Sequence, residues 1–378
     1  MSRRAILKGI GVAGLVGAGG YLAARRLVDR EPVEPPGGGG LPGDEPVRSE
    51  PLVGSHELDD FVSAIQSGGP PPDGIPPIDD PVYVPASDAD FLDEADVVFG
   101  HVVDGEPRVY PQLVLVWHEI VNEHDSRGPI SVTYCPLTGS VVGFRPHAGI
   151  EELGTSGNLV NSNLLMYDRT HDSNWPQILG RAIDGPRRGD ELEEFPLEWT
   201  TWGRWREVHP DTAVLSTETG YLRDYGSDPY GSYNPLGGYY EPDSRRLFPV
   251  MYEDERFPAK EVFFGAKVGD GRLAVRKSLV RDRRVVAASC PGGPVVFLYD
   301  PALDTGRAFV AEIDGQRVDL SLDSRDGTYL DATTRSHWNA RGEALDGPLA
   351  GRTLDRVVAY DVMWFSWVAF FPHTDVVA

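Results

Sequence analysis

The second half of this sequence repeats a long block of the first half. The block SNWPQILGRAIDGPRRGDELEEFPLEWTTWGRWREVHPDT, at 173–212, matches SHWNARGEALDGPLAGRTLDRVVAYDVMWFSWVAFFPHT, at 336–374. Rare residue types agree in register once a gap of one residue is allowed: Ser173 with Ser336, Trp175 with Trp338, Gly185 with Gly347, Trp202 with Trp364, Trp205 with Trp367 and Thr212 with Thr374. A period this long indicates a duplicated domain or two pseudo-symmetric halves, because solenoid repeats are much shorter.

The repeat predicts how the chain is organised. Repeat unit 1 covers 90–216 and repeat unit 2 covers 257–378. A connector rich in Tyr, Pro and Gly joins them at 217–256, and a Pro/Gly-rich linker and lead-in at 29–89 precedes unit 1. Composition of that kind favours extended chain over a packed core.

The secondary-structure signals are mostly those of β-strands. Short β-branched or aromatic runs bounded by Gly, Pro or Asp predict strands at Val97–Val102, Ile130–Tyr134, Val141–Arg145, Leu159–Asp168, Leu273–Lys277, Val285–Ser289, Val295–Tyr299 and Arg307–Ile313. Apolar spacing predicts a helix over Leu113–His124. Tryptophans three residues apart predict a shared helical face in each unit: Trp199, Trp202 and Trp205, then Trp364 and Trp367. The predicted fold class is α+β and β-rich, with two barrel- or sandwich-like units and a few short helices.

The N-terminus resembles an export signal. Ser2 to Lys8 reads SRRAILK, which is similar to the twin-arginine motif, and a weakly apolar run follows to Ala24. Such a run is short for a membrane-spanning helix and typical of a signal peptide. We therefore expect residues 1–28 to be a twin-arginine signal or a retained membrane anchor. The protein would then be extracellular or anchored at the outer face of the cell membrane.

The charge balance argues against polyanionic partners. The formal net charge is −23, and only four of the 35 basic residues are lysines. So acidic a surface repels nucleic acid and anionic membranes. Abundant acid with scarce lysine favours a halophilic protein, because salt screens the self-repulsion of acidic groups. A GC-rich genome without halophily is the alternative explanation.

Four motifs resemble a known family. They are VTYCPLTG at 132–139, the block at 159–177 that contains NSNLLMYDR, the turn at 185–192 and TGYLRDYGSDPY at 219–230. Together they are similar to DUF3179, a family of exported proteins of unknown function. Many members read C-P-L-C-G where this chain has Thr138, so the resemblance implies no dithiol redox pair here.

Residues found in only one copy are the better site candidates, because features kept in both copies serve the shared fold. The alignment sets Cys135 against Asp300, His171 against Arg335 and Gln177 against Ala340. If the blocks that bear them meet at one end of the sheet, the candidate ligand or metal site contains seven residues. These are Cys135, His118, Asp168, Arg169, His171, Ser173 and Gln177.

Three functions fit these residues. Cys135 with His118 and His171 could hold copper or zinc, although no paired-ligand spacing supports a metal. Cys135 could instead be the nucleophile of an enzyme with a His base. The third alternative is a structural or interaction module in which Cys135 is a buried core residue or forms a disulfide with Cys290. We expect an exported envelope protein that binds a small ligand, a metal or an envelope partner near Cys135.

Overall fold

The computed structural model describes residues 47–48, 56–146, 149–323 and 325–378. The predicted signal at 1–28 lies outside these residues, as does much of the predicted linker. Strands account for 42% of the structure and helices for 12%, so the β-rich prediction is confirmed. Within the described residues, every helix is too short or too polar to cross a membrane.

The elements follow in chain order. The strands are β1 (Val47–Arg48), β2 (Gln66–Ser67), β3 (Tyr83–Pro85), β4 (Val97–Val103), β5 (Glu106–Pro111), β6 (Ile120–Asp125), β7 (Gly128–Cys135), β8 (Ser140–Arg145), β9 (Leu153–Val160), β10 (Asn163–Asp168), β11 (Asn174–Pro176), β12 (Glu193–Phe195), β13 (Glu198–Thr201), β14 (Ala213–Leu215), β15 (Gly231–Tyr233), β16 (Leu236–Gly238), β17 (Val262–Val268), β18 (Gly271–Arg276), β19 (Val285–Cys290), β20 (Gly293–Asp300), β21 (Thr305–Val310), β22 (Glu312–Ile313), β23 (Gln316–Arg317), β24 (Leu320–Leu322), β25 (Tyr329–Asp331), β26 (His337–Trp338), β27 (Arg356–Met363) and β28 (Asp375–Val377). The α-helices are α1 (Leu58–Ser63), α2 (Gln112–His118), α3 (Trp202–Val208), α4 (Lys277–Arg283) and α5 (Trp364–Phe370). Short 3₁₀ helices occupy Ala86–Asp88 and Gly347–Leu349.

The same strand pairings occur in both predicted units. In unit 1, β5 pairs antiparallel with β4 and parallel with β14. In unit 2, β18 pairs antiparallel with β17 and parallel with β28. A meander follows in each, β6-β7-β8 and then β19-β20-β21. The unit boundaries, and the spatial symmetry between the units, stay predictions.

The sheets of the two halves differ in one respect. In unit 2, strand β27 pairs with both β17 and β21, which joins eight strands into a nearly closed, barrel-like sheet. In unit 1 the corresponding stretch is divided into β12 and β13, with Pro196 between them. Proline cannot donate to a strand ladder, so it interrupts the pairing. The strands of the first half that correspond to the eight-stranded sheet therefore lie in two separate sheets, of five and four strands, and β9, β10 and β11 form a third sheet with β2.

A tryptophan is seated in the same way in each half. The Trp205 indole lies on Gly100, and its Nε1 donates to Thr212 Oγ1 at 2.9 Å. The counterparts in unit 2 are Trp367, Gly265 and Thr374. Because a glycine leaves room for the ring and a threonine satisfies its N–H, the indole can be fully buried.

One apolar cluster joins the two halves. It includes Trp175 and Ile178 from unit 1, Tyr240 from the connector, and Trp364 and Trp367 from unit 2. The units and the connector therefore share a core, and neither half would bury these surfaces alone.

Three sequence-based assignments need correction. The predicted helix over Leu113–His124 ends at His118, because Glu119 has φ 60° and the chain continues as strand β6. Trp199 lies in strand β13, so it does not share the helical face of Trp202 and Trp205. The single strand predicted over Leu159–Asp168 is a hairpin of β9 and β10.

The lysines of the described chain point inward. Lys260 is 1% exposed. Lys267 forms an ion pair with Glu194, and Lys277 with Asp361. The exposed cations that remain in these regions are arginines, which suits a chain with so few lysines.

Candidate functional site

A buried polar network surrounds Gln177. Its Nε2 donates to Thr133 Oγ1 at 2.9 Å, and its Oε1 accepts from Ser140 Oγ at 2.7 Å and from Asn163 Nδ2 at 2.9 Å. Asn163 Nδ2 also donates to Thr138 Oγ1 at 3.1 Å. All five residues are inaccessible to solvent and fully bonded. A satisfied buried network rigidifies a core and offers nothing to a ligand.

Asp168 caps a turn rather than facing a ligand. Its carboxylate accepts from the His171 backbone N–H at 2.6 Å, from Trp175 Nε1 at 3.1 Å and from Ser173 N–H at 3.2 Å. His171 Nδ1 lies 3.0 Å from the same carboxylate. One turn therefore brings Asp168, His171 and Ser173 together, and their hydrogen bonds stabilise that turn.

Unit 2 repeats this turn and corrects the alignment of His171. Asp331 accepts hydrogen bonds from the backbone and side chain of Thr334, which stands where His171 stands. Arg335 corresponds instead to Asp172, and both have positive φ, 61° and 57°. Because a threonine serves the same turn, the histidine there is not needed by the fold.

Arg169 lies in a separate ion cluster at the edge of unit 1. Its guanidinium contacts Glu152 at 2.6 Å, Asp79 at 2.7 Å and Asp73 at 3.2 Å. Asp73 and Asp79 belong to the lead-in, so Arg169 fastens that segment to the unit.

His118 holds two other segments in place. Its Nδ1 lies 2.7 Å from Pro76 O, and its Nε2 lies 2.6 Å from the Tyr225 hydroxyl. Thr219 Oγ1 lies 2.5 Å from that hydroxyl. Burial lowers the pKa of His118 to about 4. Both ring nitrogens are therefore engaged, and the ring is neutral near pH 7.

Cys135 is a buried neutral thiol. Its side chain is 1% exposed, and Sγ lies 3.9 Å from Ser162 O. Burial raises its pKa to about 11, and the nearby Glu119 carboxyl contributes to the rise. Cys290 is also a free thiol and packs in a different apolar cluster, against Gly271. The two cysteines are therefore not joined, and Cys135 has no thiolate character.

The seven predicted residues thus fall into separate places. Four different networks contain Gln177, Asp168 with His171 and Ser173, Arg169, and His118. Gln177 bonds to Thr133 on β7, the strand that ends at Cys135, and to Ser140 on β8. Across the described residues, no group of three or more His, Cys, Asp or Glu side chains could hold a metal ion. The predicted copper or zinc ligands are therefore not assembled there.

Glu119 is the titratable group that the sequence-based list omitted. It ends helix α2 with φ 60° and is only 7% exposed. Among the described residues, none donates a hydrogen bond to its carboxyl group and no cation lies within ion-pair distance. Burial raises its pKa to about 8. One signal was available, because Glu119 occurs in one copy only and unit 2 has Arg284 there.

The connector covers Glu119 and Cys135. Tyr230 packs against the apolar cluster that contains Cys135. Burial raises the pKa of its hydroxyl, and Glu119 and Cys135 lie close enough that their ionised forms would raise it further. Tyr239 donates from its hydroxyl to Leu137 O at 2.8 Å, two residues beyond Cys135. The covered region is therefore bounded by strand β7, the end of α2 and connector tyrosines.

A tyrosine cluster continues this region towards unit 2. Asp228 Oδ2 accepts from Tyr240 at 2.6 Å and from Gln112 Nε2 at 2.7 Å. The hydroxyls of Tyr134 and Tyr233 lie 3.0 Å apart, and the rings of Tyr233 and Tyr240 stack at 3.9 Å. We refer to these five residues as the tyrosine cluster.

Asp361 of unit 2 faces the tyrosine cluster. One of its oxygens binds Lys277, but the other is buried and has no hydrogen-bond partner. Burial raises the pKa of Asp361, although Lys277 opposes the rise. Burial raises the pKa of Tyr233, and the charge of Asp361 is one of the smaller contributions to the rise.

The equivalent place in unit 2 is filled by ion pairs. Asp300, which aligns with Cys135 in the repeat, binds Arg307 at 2.5 Å. Arg307 also binds Glu198 of unit 1 at 2.9 Å. The Arg284 guanidinium lies 4.4 Å from the centroid of the Tyr299 ring. Charged side chains, one of them Glu198 of unit 1, therefore fill in unit 2 the place where unit 1 has Glu119 and Cys135.

A family model for proteins of unknown function, DUF3179, matches residues 72–374. The chain belongs to the DUF3179 family. Neither a curated protein nor a solved structure matches it. In this DUF3179 protein the TGYLRDYGSDPY segment lies on the connector. Its Tyr225 hydroxyl bonds to His118 and to Thr219, and its Asp228 accepts a hydrogen bond from Gln112.

Proposed function

We propose that this protein binds a small ligand at the region covered by the connector, with Glu119, Cys135 and Tyr230 at its centre. The observation that carries the proposal is the Glu119 side chain, which is 7% exposed and to whose carboxyl group no described residue donates a hydrogen bond. A buried polar group left unpaired costs free energy. Groups with strongly shifted pKa values are concentrated at functional sites.

The geometry favours binding over nucleophilic catalysis by Cys135. A nucleophilic thiol needs a base within hydrogen-bond reach. His118 is bonded to Pro76 and Tyr225, and His171 to Asp168. Metal binding has no assembled ligand set in the described residues.

A thermal-shift screen of metabolites on purified protein tests this proposal. The screen compares the wild type with Glu119→Gln, and uses Glu207→Gln as the control, since Glu207 is exposed on helix α3. We expect a ligand that raises the melting temperature of the wild type and of Glu207→Gln by several degrees. Glu119→Gln should respond weakly. Equal stabilisation of all three proteins would refute a site at Glu119.

We also propose that the protein is exported from the cytoplasm, because residues 2–8 read SRRAILK and resemble the twin-arginine motif. Replacing both Arg3 and Arg4 with lysine should trap the precursor inside the cell, since the twin-arginine pair is the recognised element. Normal export of the double variant, measured by fractionation, would contradict twin-arginine transport.

We also propose that the protein works in concentrated salt, given its net charge of −23. Its free energy of unfolding should rise from dilute to molar KCl, because screening removes acidic self-repulsion. A fall in stability over that range would exclude halophilic adaptation.

A further inference from the structure

We propose that the ligand of this site is a small organic cation, an amine or a guanidinium compound. This inference rests on the proposed binding function and names the class of ligand. It is carried by a comparison of the two halves of the chain. Unit 2 holds a cation of its own at the equivalent position, and unit 1 holds an acid there for which the described residues provide no cation.

Glu119 and Arg284 occupy equivalent backbone positions. Each follows a seven-residue helix and has positive φ, 60° and 69°. Each carbonyl accepts from a tyrosine N–H on the adjacent strand, Glu119 from Tyr134 at 2.7 Å and Arg284 from Tyr299 at 2.9 Å. The side chains at these two positions therefore start from the same place in the fold.

The two side chains nevertheless find different partners. In unit 2 the Arg284 guanidinium lies over the Tyr299 ring, a cation–π contact that the chain supplies itself. In unit 1 the carboxyl of Glu119 lies near Tyr230, and the counterpart of Tyr299 on the neighbouring strand is Tyr134. The described residues place no cation beside the Glu119 carboxyl. Unit 1 thus retains the aromatic rings and adds an acid, and the ionised form of that acid would be complementary to a cation from outside.

Two further carboxyls lie among the tyrosines of the connector. Asp228 lies in the tyrosine cluster, and Asp361 has one buried oxygen for which the described residues supply no hydrogen-bond donor. Burial raises the pKa of both carboxyls, although hydrogen bonds to Asp228 and the Lys277 ion pair of Asp361 oppose the rise. A cationic ligand would favour the ionised forms of these acids, whereas an anionic ligand would be repelled by them.

One lysine of the chain already combines an aromatic ring with a carboxylate. Lys277 Nζ lies 5.6 Å from the centroid of the Trp199 ring while it binds Asp361. Lys260 Nζ lies 3.1 Å from the centroid of the Tyr239 ring, but burial lowers its pKa to about 7. An ammonium group is therefore accommodated at Lys277, where a carboxylate joins the ring.

Binding of a cation should be linked to proton release. The pKa of Glu119 is about 8, so a cation that favours its ionised form displaces a proton near neutral pH. The titratable groups that face it stay neutral in this range, because burial raises the pKa of Cys135 to about 11 and that of Tyr230 well above its ordinary value. The adjacent His118 has a pKa of about 4 and is neutral as well.

Isothermal titration calorimetry with matched probes tests the inference. Choline and agmatine supply an ammonium and a guanidinium group, and 3,3-dimethylbutan-1-ol is the uncharged isostere of choline. We expect a cation to bind at least tenfold more tightly than the alcohol. Its affinity should rise by up to about tenfold per pH unit as the pH approaches 8. Glu119→Gln should remove that pH dependence and weaken binding at least tenfold, and Glu207→Gln should change neither.

The outcomes separate this inference from the function on which it rests. Equal binding of choline and its uncharged isostere would overturn the cation assignment. If neither choline nor agmatine binds, but a neutral ligand binds in a way that requires Glu119, the cation assignment is also overturned. The proposed binding function then stands. Cation binding that Glu119→Gln leaves unchanged would overturn the assignment to this site. Circular dichroism of each variant verifies that it is folded.

Discussion

The indole of Trp205 lies so close to Gly100 that a Cβ atom added to that glycine would stand 2.1 Å from Cζ3 of the ring. The strand and the ring cannot both keep their positions if the glycine gains a side chain. Gly100→Ala should therefore lower the free energy of unfolding by about 3 kcal/mol, at the upper end of overpacking costs. Urea denaturation measures the loss. Gly237→Ala is the control, because nothing lies within 4 Å of the added carbon there. Equal stability of the two variants would contradict the packing.

The buried charges between the units should be interdependent. Arg307, with 6% side-chain exposure, binds Glu198 at 2.9 Å and Asp300 at 2.5 Å. Arg307→Met removes the cation and leaves two buried carboxylates short of a partner, so we expect a loss of about 3 kcal/mol in urea denaturation. Arg352→Met breaks only the exposed pair with Asp314 and should leave the denaturation midpoint nearly unchanged. A small effect of Arg307→Met would mean that water enters this interface.

The pH dependence of stability should reveal Glu119. Its pKa rises from an ordinary value of 4.5 to about 8 in the folded protein. A raised acid pKa means that the folded state holds the proton more tightly, so this stabilisation is complete below about 4.5 and is lost as the pH rises to about 8. The loss should reach a few kcal/mol at most. Glu119→Gln cannot ionise, so its unfolding free energy should fall less than that of the wild type over this window. Parallel pH profiles would show that Glu119 is not buried.

The reactivity of the thiols should follow their burial. Cys135 and Cys290 are both buried, and burial raises the pKa of each. Iodoacetamide at pH 8 should leave both thiols unmodified in the folded protein and alkylate both in urea, since the thiolate is the reactive form. Mass spectrometry after a timed reaction distinguishes the two sites. Rapid alkylation of Cys135 in the folded protein would revive the nucleophilic alternative.

Much of the architecture could be predicted because it depends on rare residues in register. Tryptophans seated on glycines are costly to replace, so Trp205 and Trp367 keep the repeat visible in the sequence. The β-branched runs predicted where strands occur, but no sequence signal predicted that helix α2 ends at His118. Apolar spacing continues smoothly past Glu119, and only its left-handed backbone converts the next residues into strand β6.

The site was harder to predict, since its main feature is a missing interaction. Cysteine and histidine attract attention as residue types, but His118 and His171 are occupied by partners that lie far away or in a turn. Glu119 is notable because no described residue bonds to its carboxyl group, and its surroundings include the connector, which begins at residue 217. A comparison of the two copies position by position could have pointed to Glu119 against Arg284 without any structure.

The inward position of Lys260, Lys267 and Lys277 has a practical consequence. Their ammonium groups are engaged by Tyr239 O, Glu194 and Asp361, so reagents that acylate primary amines will find few targets on the folded domain. Amine-directed dyes, cross-linkers and immobilisation surfaces should couple poorly. Chemistry directed at carboxyl groups, which the surface offers in abundance, is the better way to label or tether this protein.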